Sequence, residues 1–210
     1  MKKTGMAALA LAAGMMLSGC KAGKTSTFPP QQSAVYVSKE GAIYTAIVEH
    51  YDASDTGYSG EELRAMAEQE AADYNREYGT GSEALVSVAE CTVSEGTATL
   101  VFCYGAAEDL CRFTEISQDT VNHPQQLQVT TNSVYLTGND SEGGWTDARK
   151  NSATTLGAVR KKKDLPMVVV SGPVTVQTEG QILYYSGAVT LKDEFTAQVS
   201  EGEAYIVFKY

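Results

Sequence analysis

Short runs of Val, Ile, Tyr and Thr, each closed by a turn signal, constrain the fold of this chain more than any other feature. Residues 35–38 and 42–51 form such a pair with Glu40-Gly41 between them, and residues 85–93 and 97–104 repeat it about Glu95-Gly96. β-branched and aromatic side chains suit a pleated, half-buried surface and glycine supplies the turn, so both pairs predict hairpins. The carboxy-terminal part returns to the pattern at 167–170, 174–177, 182–185 and 204–208, punctuated by Gly172-Pro173, Glu179-Gly180, Gly187 and Glu201-Gly202. Two stretches change to the helical period. Ser59 with Glu62 makes a capping box, and Leu63, Met66, Ala67, Ala71, Tyr74 and Tyr78 fall on one face. Gly79 stands where a left-handed closing residue is expected. Residues 106–117 predict a shorter helix with Leu110, Phe113 and Ile116 inward. Residues 127–136 read as a strand, and 137–166 as a polar, poorly patterned stretch holding at most a short helix at 155–162. No strand–helix–strand run has the apolar texture of a parallel sheet. The expected class is α+β: a largely antiparallel β-sheet built of hairpins with two or three helices packed on it. Residues 34–210 have the size of a single domain.

The amino-terminal end has a separate logic. Lys2 and Lys3 precede a charge-free apolar run at 6–16, and Leu17-Ser18-Gly19-Cys20 places small residues before a cysteine. A charged start, a short apolar run and a small-residue exit describe a secretory signal peptide, and the run is shorter than the roughly 20 residues of a spanning helix. The Leu-Ser-Gly-Cys ending resembles the lipobox of bacterial lipoproteins. That resemblance implies cleavage after Gly19 and a diacylglyceryl thioether on Cys20. Two or more acyl chains give stable attachment where one gives only marginal attachment. The expected organisation is a signal peptide at 1–19, a lipidated cysteine with a flexible tether at 20–33, and an extracytoplasmic domain on the outer face of the cell membrane. The tether is polar, with Pro29-Pro30 and no periodicity.

Charge narrows the partners. The net charge of −10 falls to −12 once Lys2 and Lys3 leave, and the only basic run is Arg160-Lys161-Lys162-Lys163. Nucleic-acid binding calls for a basic footprint, so no nucleic-acid partner is expected. Anionic lipid would repel the domain, leaving the lipid on Cys20 as the contact with the membrane.

With Cys20 assigned to lipid, Cys91, Cys103 and Cys111 remain, an odd number for an exported chain. A two-residue turn at Glu95-Gly96 would set Cys91 opposite Leu100 and Cys103 opposite Val88, on different faces of the sheet. A Cys103–Cys111 bridge and three buried thiols are the alternatives, the second favoured because free Cys behaves as a small core residue. Gly19-Cys-Lys-Ala-Gly-Lys-Thr25 mimics a phosphate loop, but one residue is missing between its glycines and the cleavage site interrupts it. Ser18 and Lys21 mimic a serine–lysine pair that the same cleavage separates. The two histidines, His50 and His123, read as a strand-rim and a loop residue rather than as partners of a catalytic thiol.

Oxygen-rich turns complete the inventory. Asp52, Asp55 and Ser59 precede the first helix, and Asn139, Asp140, Glu142 and Asp147 surround Gly143-Gly144-Trp145. Neither has the spacing of a calcium loop, and no metal or cofactor is implied. Trp145, the single tryptophan, either stacks on a ligand or folds back as a plug over the core. The segments Gly180-Gln-Ile-Leu-Tyr-Tyr-Ser186 and Ala204-Tyr-Ile-Val-Phe-Lys209, with Val35-Tyr-Val-Ser-Lys-Glu-Gly41, resemble uncharacterised lipoproteins of Gram-positive gut bacteria, a likeness that transfers no functional residue. The expectation is a non-enzymatic, lipid-anchored domain that binds an envelope component, a carbohydrate or a protein, with Trp145, Asn139, Asp140, Glu142 and Asp147 as the candidate ligand-binding set. The alternatives are a small hydrolase using Asp52 and Asp55 or Asp140 and Glu142 as acid and base, and an accessory subunit of an envelope complex.

Overall fold

The computed structural model describes residues 30–52, 59–138, 144–162 and 164–209. Strands β1 (Ala34–Val37) and β2 (Ile43–His50) are followed by α1 (Gly60–Tyr78), the hairpin β3 (Val86–Ser94) and β4 (Thr97–Tyr104), and α2 (Ala107–Ile116). The middle of the chain holds β5 (Gln126–Thr131), α3 (Asn132–Gly138), β6 (Trp145–Asp147), β7 (Ser152–Thr154) and α4 (Leu156–Arg160). Then come β8 (Pro166–Ser171), β9 (Val174–Thr178), β10 (Gln181–Ser186), β11 (Val189–Leu191), β12 (Thr196–Val199) and β13 (Glu203–Lys209). The class is α+β with mostly antiparallel strands, as the hairpin texture predicts.

These strands form two sheets. One has seven strands in the order β11-β12-β9-β1-β2-β4-β3, the other six in the order β5-β8-β13-β10-β6-β7. The pairing of β1 with β9, Val35 opposite Val176, is the single parallel one among the described pairs. It stitches the first described strand to a strand from the last third of the chain.

The main core forms between the sheets and under α1 and α2. It gathers Val35, Val37, Phe102 and Tyr104 from one sheet, Val168, Val170, Ile206 and Phe208 from the other, and Ala71, Tyr74, Leu110 and Phe113 from the helices. A second cluster lies on the opposite face of the six-stranded sheet, where Leu136 of α3 and Val159 of α4 pack on Met167, Leu183 and Val207. A third occupies the other face of the seven-stranded sheet, with Tyr36, Tyr44, Ala46 and Val101, and none of the four described helices contributes to it.

The turn at Glu95-Gly96 is a tight two-residue one: both residues have positive φ, 51° and 78°, the backbone of the mirror-image turn that matches strand twist. Cys91 does lie opposite Leu100, but a bulge at Ala89 shifts the pairing by one, so Cys103 lies opposite Ser87 instead of Val88. Cys91 and Cys111 are free thiols, and Cys103 is disulfide-bonded. Neither sequence alternative, a Cys103–Cys111 bridge or three reduced thiols, describes this arrangement.

Several further expectations are corrected. Gly79 ends α1 in extended backbone, with φ −72° and ψ 132°, and not in the left-handed region. What requires glycine is a close approach: a Cβ there would lie 2.3 Å from the carbonyl oxygen of Asn75. Residues 127–136 are a strand only to Thr131. There the partner strand β8 runs out at Pro166, which has no N–H to offer, and Asn132 turns the chain into α3. Its side chain accepts from Leu165 N at 3.0 Å and donates to Val159 O at 3.1 Å and to Lys162 O. The stretch 137–166 holds the expected short helix as α4, and also β6 and β7, strands of three residues that are too short to show a period. β11 and β12 were also not legible, being equally short.

Candidate functional site

α1 starts where the sequence placed it. Ser59 Oγ accepts from Glu62 N at 3.3 Å, and Glu61 and Glu62 occupy the first turn, where the helix dipole favours negative charge. The buried stripe is Ala67, Ala71 and Tyr74. α2 runs nearby and buries Leu110, Phe113 and Thr114. Phe113 is the pivot: its ring lies 5.5 Å from that of Tyr74, 5.0 Å from Phe102 and 5.9 Å from Tyr104, in tilted or edge contacts. Such geometry adds to the stability that burial gives.

Two residues expected inside this packing are outside it. Met66 is 71% exposed and Ile116 54% exposed. The helices use a narrower stripe than their apolar residues could cover, and the surplus lines a groove of about 710 Å³ between them. Met66, Tyr74, Phe113 and Ile116 give it an apolar lining, and Glu70, Asp73 and Glu77 of α1 form an acidic wall. Desolvation, helped by the charge of Asp119, raises the Glu70 carboxyl above its usual range. Asp73 is tied to Arg76 at 2.7 Å and accepts from Gln69 at 2.8 Å. Tyr78 carries the Arg112 guanidinium 5.0 Å above its ring. Beneath the groove, Tyr74 donates its hydroxyl to Asp109 Oδ1 at 3.1 Å. Burial raises Asp109 despite that hydrogen bond and the nearby Arg112.

α1 also guards the edge of its sheet. Asn75 accepts from Leu85 N and Val86 N at 2.9 and 3.0 Å and donates to Val86 O at 2.7 Å. Arg64 donates to Cys91 O at 3.3 Å. Side chains thus satisfy part of the free edge of β3, which would otherwise invite another strand.

The residues singled out from sequence have other fates. Trp145 is 1% exposed; it is held in β6 between β10 and β7, its ring 5.9 Å from that of Tyr205. The indole is therefore the plug of the second cluster and not a ring offered to solvent, because β6 inserts it among Leu136, Val159 and Tyr184. Asp147 is buried as well and accepts from Arg149 N at 3.1 Å and Arg149 Nη2 at 3.3 Å. Burial alone would raise its carboxyl, but the hydrogen bonds and charge of Arg149 outweigh this and hold it below the usual range. Asn139, Asp140 and Glu142 lie outside the described residues, as do Asp55 and the amino-terminal Gly19 and Cys20. Asp52 sits in the coil after β2.

His50 Nδ1 is 3.1 Å from Thr97 Oγ1, and His123 Nδ1 is 3.0 Å from Thr114 Oγ1. Burial raises the Cys91 thiol, whose Sγ lies 3.8 Å from Gly60 O, and pushes Cys111 up to about 11, so both are protonated at neutral pH. The sequence reading missed the groove, yet a signal existed: Met66, Glu70, Asp73 and Glu77 recur at helical spacing along one face of α1.

Among the described residues, no three His, Cys, Asp or Glu side chains are grouped to hold a metal ion, and no helix is long and apolar enough to cross a membrane. No protein-family model, curated protein or solved structure matches this chain.

Proposed function

We propose that this chain is a lipid-anchored binding module on the outer face of the cell membrane, whose α1–α2 groove receives a cationic amphipathic segment of a protein partner. The observation that carries the binding reading is the exposure of Met66 and Ile116 beside the carboxylates of Glu70, Asp73 and Glu77. An apolar groove rimmed by one sign of charge suits a helix or strand with apolar anchors and Lys or Arg flanks. Opposite potentials speed encounter and exclude wrong partners. The same rim would repel an anionic lipid surface, which favours a protein occupant over the membrane itself. The anchor rests on the signal-peptide pattern and the Leu17-Ser18-Gly19-Cys20 ending.

Each half has its own test. Intact-mass measurement of the detergent-extracted protein, with and without reduction, reads the state of Cys20. The expected mass is that of a chain starting at Cys20 with a diacylglyceryl group. A mass that lacks the diacylglyceryl group, or that still includes residues 1–19, would overturn the anchor. For the groove, the probes are a synthetic Leu/Lys amphipathic peptide and its Leu/Glu counterpart, followed by fluorescence anisotropy. The Leu/Lys peptide should bind, lose affinity with added salt, and bind more weakly to Met66→Ser. Equal binding of both peptides, or indifference to Met66→Ser, would remove the assignment.

A further inference from the structure

A second concavity shares no residue with the helical groove. A cleft of about 590 Å³ opens where β10 of the six-stranded sheet approaches β11 at the end of the seven-stranded sheet. This lies within the about 300–1,000 Å³ usual for small-ligand sites. Ile182, Val189 and Leu191 give it an apolar base that is continuous with the main core, and Tyr185 adds an aromatic ring.

The polar groups around that base are held by the fold. Gln181 donates to Glu194 Oε2 at 2.9 Å, and Ile182 N donates to Glu194 O at 2.8 Å. Asp193 Oδ1 accepts from Phe195 N at 2.7 Å. Arg149 is oriented by Asp147, which takes both its backbone N–H and its guanidinium. The turn carrying Arg149 is fixed to the sheet by Ala148 N donating to Leu183 O at 2.9 Å. Asn151 occupies the left-handed region at φ 48° and lines the same cleft. Thr190 and Lys192 complete the rim.

The charges in this lining cancel: Arg149 and Lys192 stand against Asp193 and Glu194. A phosphate or carboxylate ligand calls for cationic excess. A purely apolar ligand would desolvate the remaining hydrogen-bonding capacity of Arg149, Asn151, Thr190 and Lys192 without replacing it. A neutral polyol fits both conditions, since each hydroxyl donates and accepts at once. Planar guanidinium, amide and carboxylate edges can bridge neighbouring hydroxyls, and an aromatic ring accepts the C–H face of a sugar ring. We propose that the cleft between β10, β11 and the 148–151 turn binds a neutral saccharide, with Tyr185 beneath the sugar ring and Arg149, Asn151 and Gln181 on its hydroxyls. The reading stands apart from that of the α1–α2 groove, and variants of either site leave the other intact.

The test is a backbone NMR titration of the folded domain with three neutral probes: maltotriose, cellotriose and N,N′-diacetylchitobiose, with inorganic phosphate as the anionic comparison. At least one saccharide should shift the amide signals of Arg149, Asn151, Thr190 and Lys192 saturably, with Kd on the order of 1 mM. Asn151→Gly removes the amide while keeping a residue that tolerates the left-handed backbone, and should weaken that binding about tenfold. Val134→Ser, at an exposed position of α3 away from the cleft, should leave it unchanged. No saturable shift from any of the three saccharides, a stronger response to phosphate, or full affinity in Asn151→Gly would each overturn the proposal.

Discussion

Buried polar and aromatic side chains show most directly how the environment assigns roles here. Trp145 has the composition of a ligand platform but the position of a core residue. Trp145→Ala should cost about 3–5 kcal/mol of stability, read from the urea midpoint at unchanged slope; a loss below about 1 kcal/mol would show that the indole is not packed as described. Asp109 and Asp147 make an instructive pair, because similar burial ends in opposite titration. Asp147 has Arg149 to hold it ionised, whereas desolvation dominates at Asp109 and raises it. A carboxyl raised in the folded state adds stability that is complete below its ordinary value and disappears as pH rises through the raised one. Asp109→Asn should therefore melt at or above the parent temperature at pH 7 and lose that advantage by about pH 4. Thermal unfolding across that range checks it, and a large loss of stability at pH 7 would refute it.

Elements are defined as much by what ends or guards them as by their interior sequence. β5 ends at Thr131 because its partner ends at Pro166, a fact about pairing that no window around residue 131 contains. Asn75 illustrates guarding: one side chain meets three backbone groups of residues 85 and 86. Asn75→Ala strands those groups and should cost about 1–3 kcal/mol. Native-state hydrogen exchange should report faster exchange at Leu85 and Val86 than at the β4 amides. Uniform acceleration throughout the sheet would instead indicate global destabilisation. The same logic covers α1, whose start at Ser59 is written in its cap. Its end at Gly79 is set by the approach of the Asn75 carbonyl, not by a left-handed turn.

At the scale of the whole molecule, the seven-stranded sheet takes strands from both ends of the chain, and helices α1 and α2 lie beside the main core with a groove between them. That groove should answer to pH as well as salt. Protonation of Glu70 removes charge from its acidic wall, so the Leu/Lys peptide should bind more weakly as pH falls towards the raised Glu70 value. A Met66→Ser and Ile116→Ser double variant should abolish binding while leaving the melting temperature within a few degrees, since both side chains are exposed. A large drop in stability would show that they are core residues after all.

Local chemistry alone determined the class of fold, the hairpin at Glu95-Gly96, the capped start of α1 and the pairing of Cys91 with Leu100. Each depends on residues within a turn or two of one another. Only the tertiary structure decided that the strands divide into two sheets, that β1 pairs in parallel with β9, and that Trp145 is interior. It also decided which apolar residues of α1 and α2 stay outside. A helix presents more apolar surface than a single contact can cover, and the crossing of its neighbour selects which part is buried. For Met66 and Ile116 that selection was made by the packing of each helix on its partner and on the sheet, elements outside either helix, and it turned two expected core residues into the lining of the candidate site.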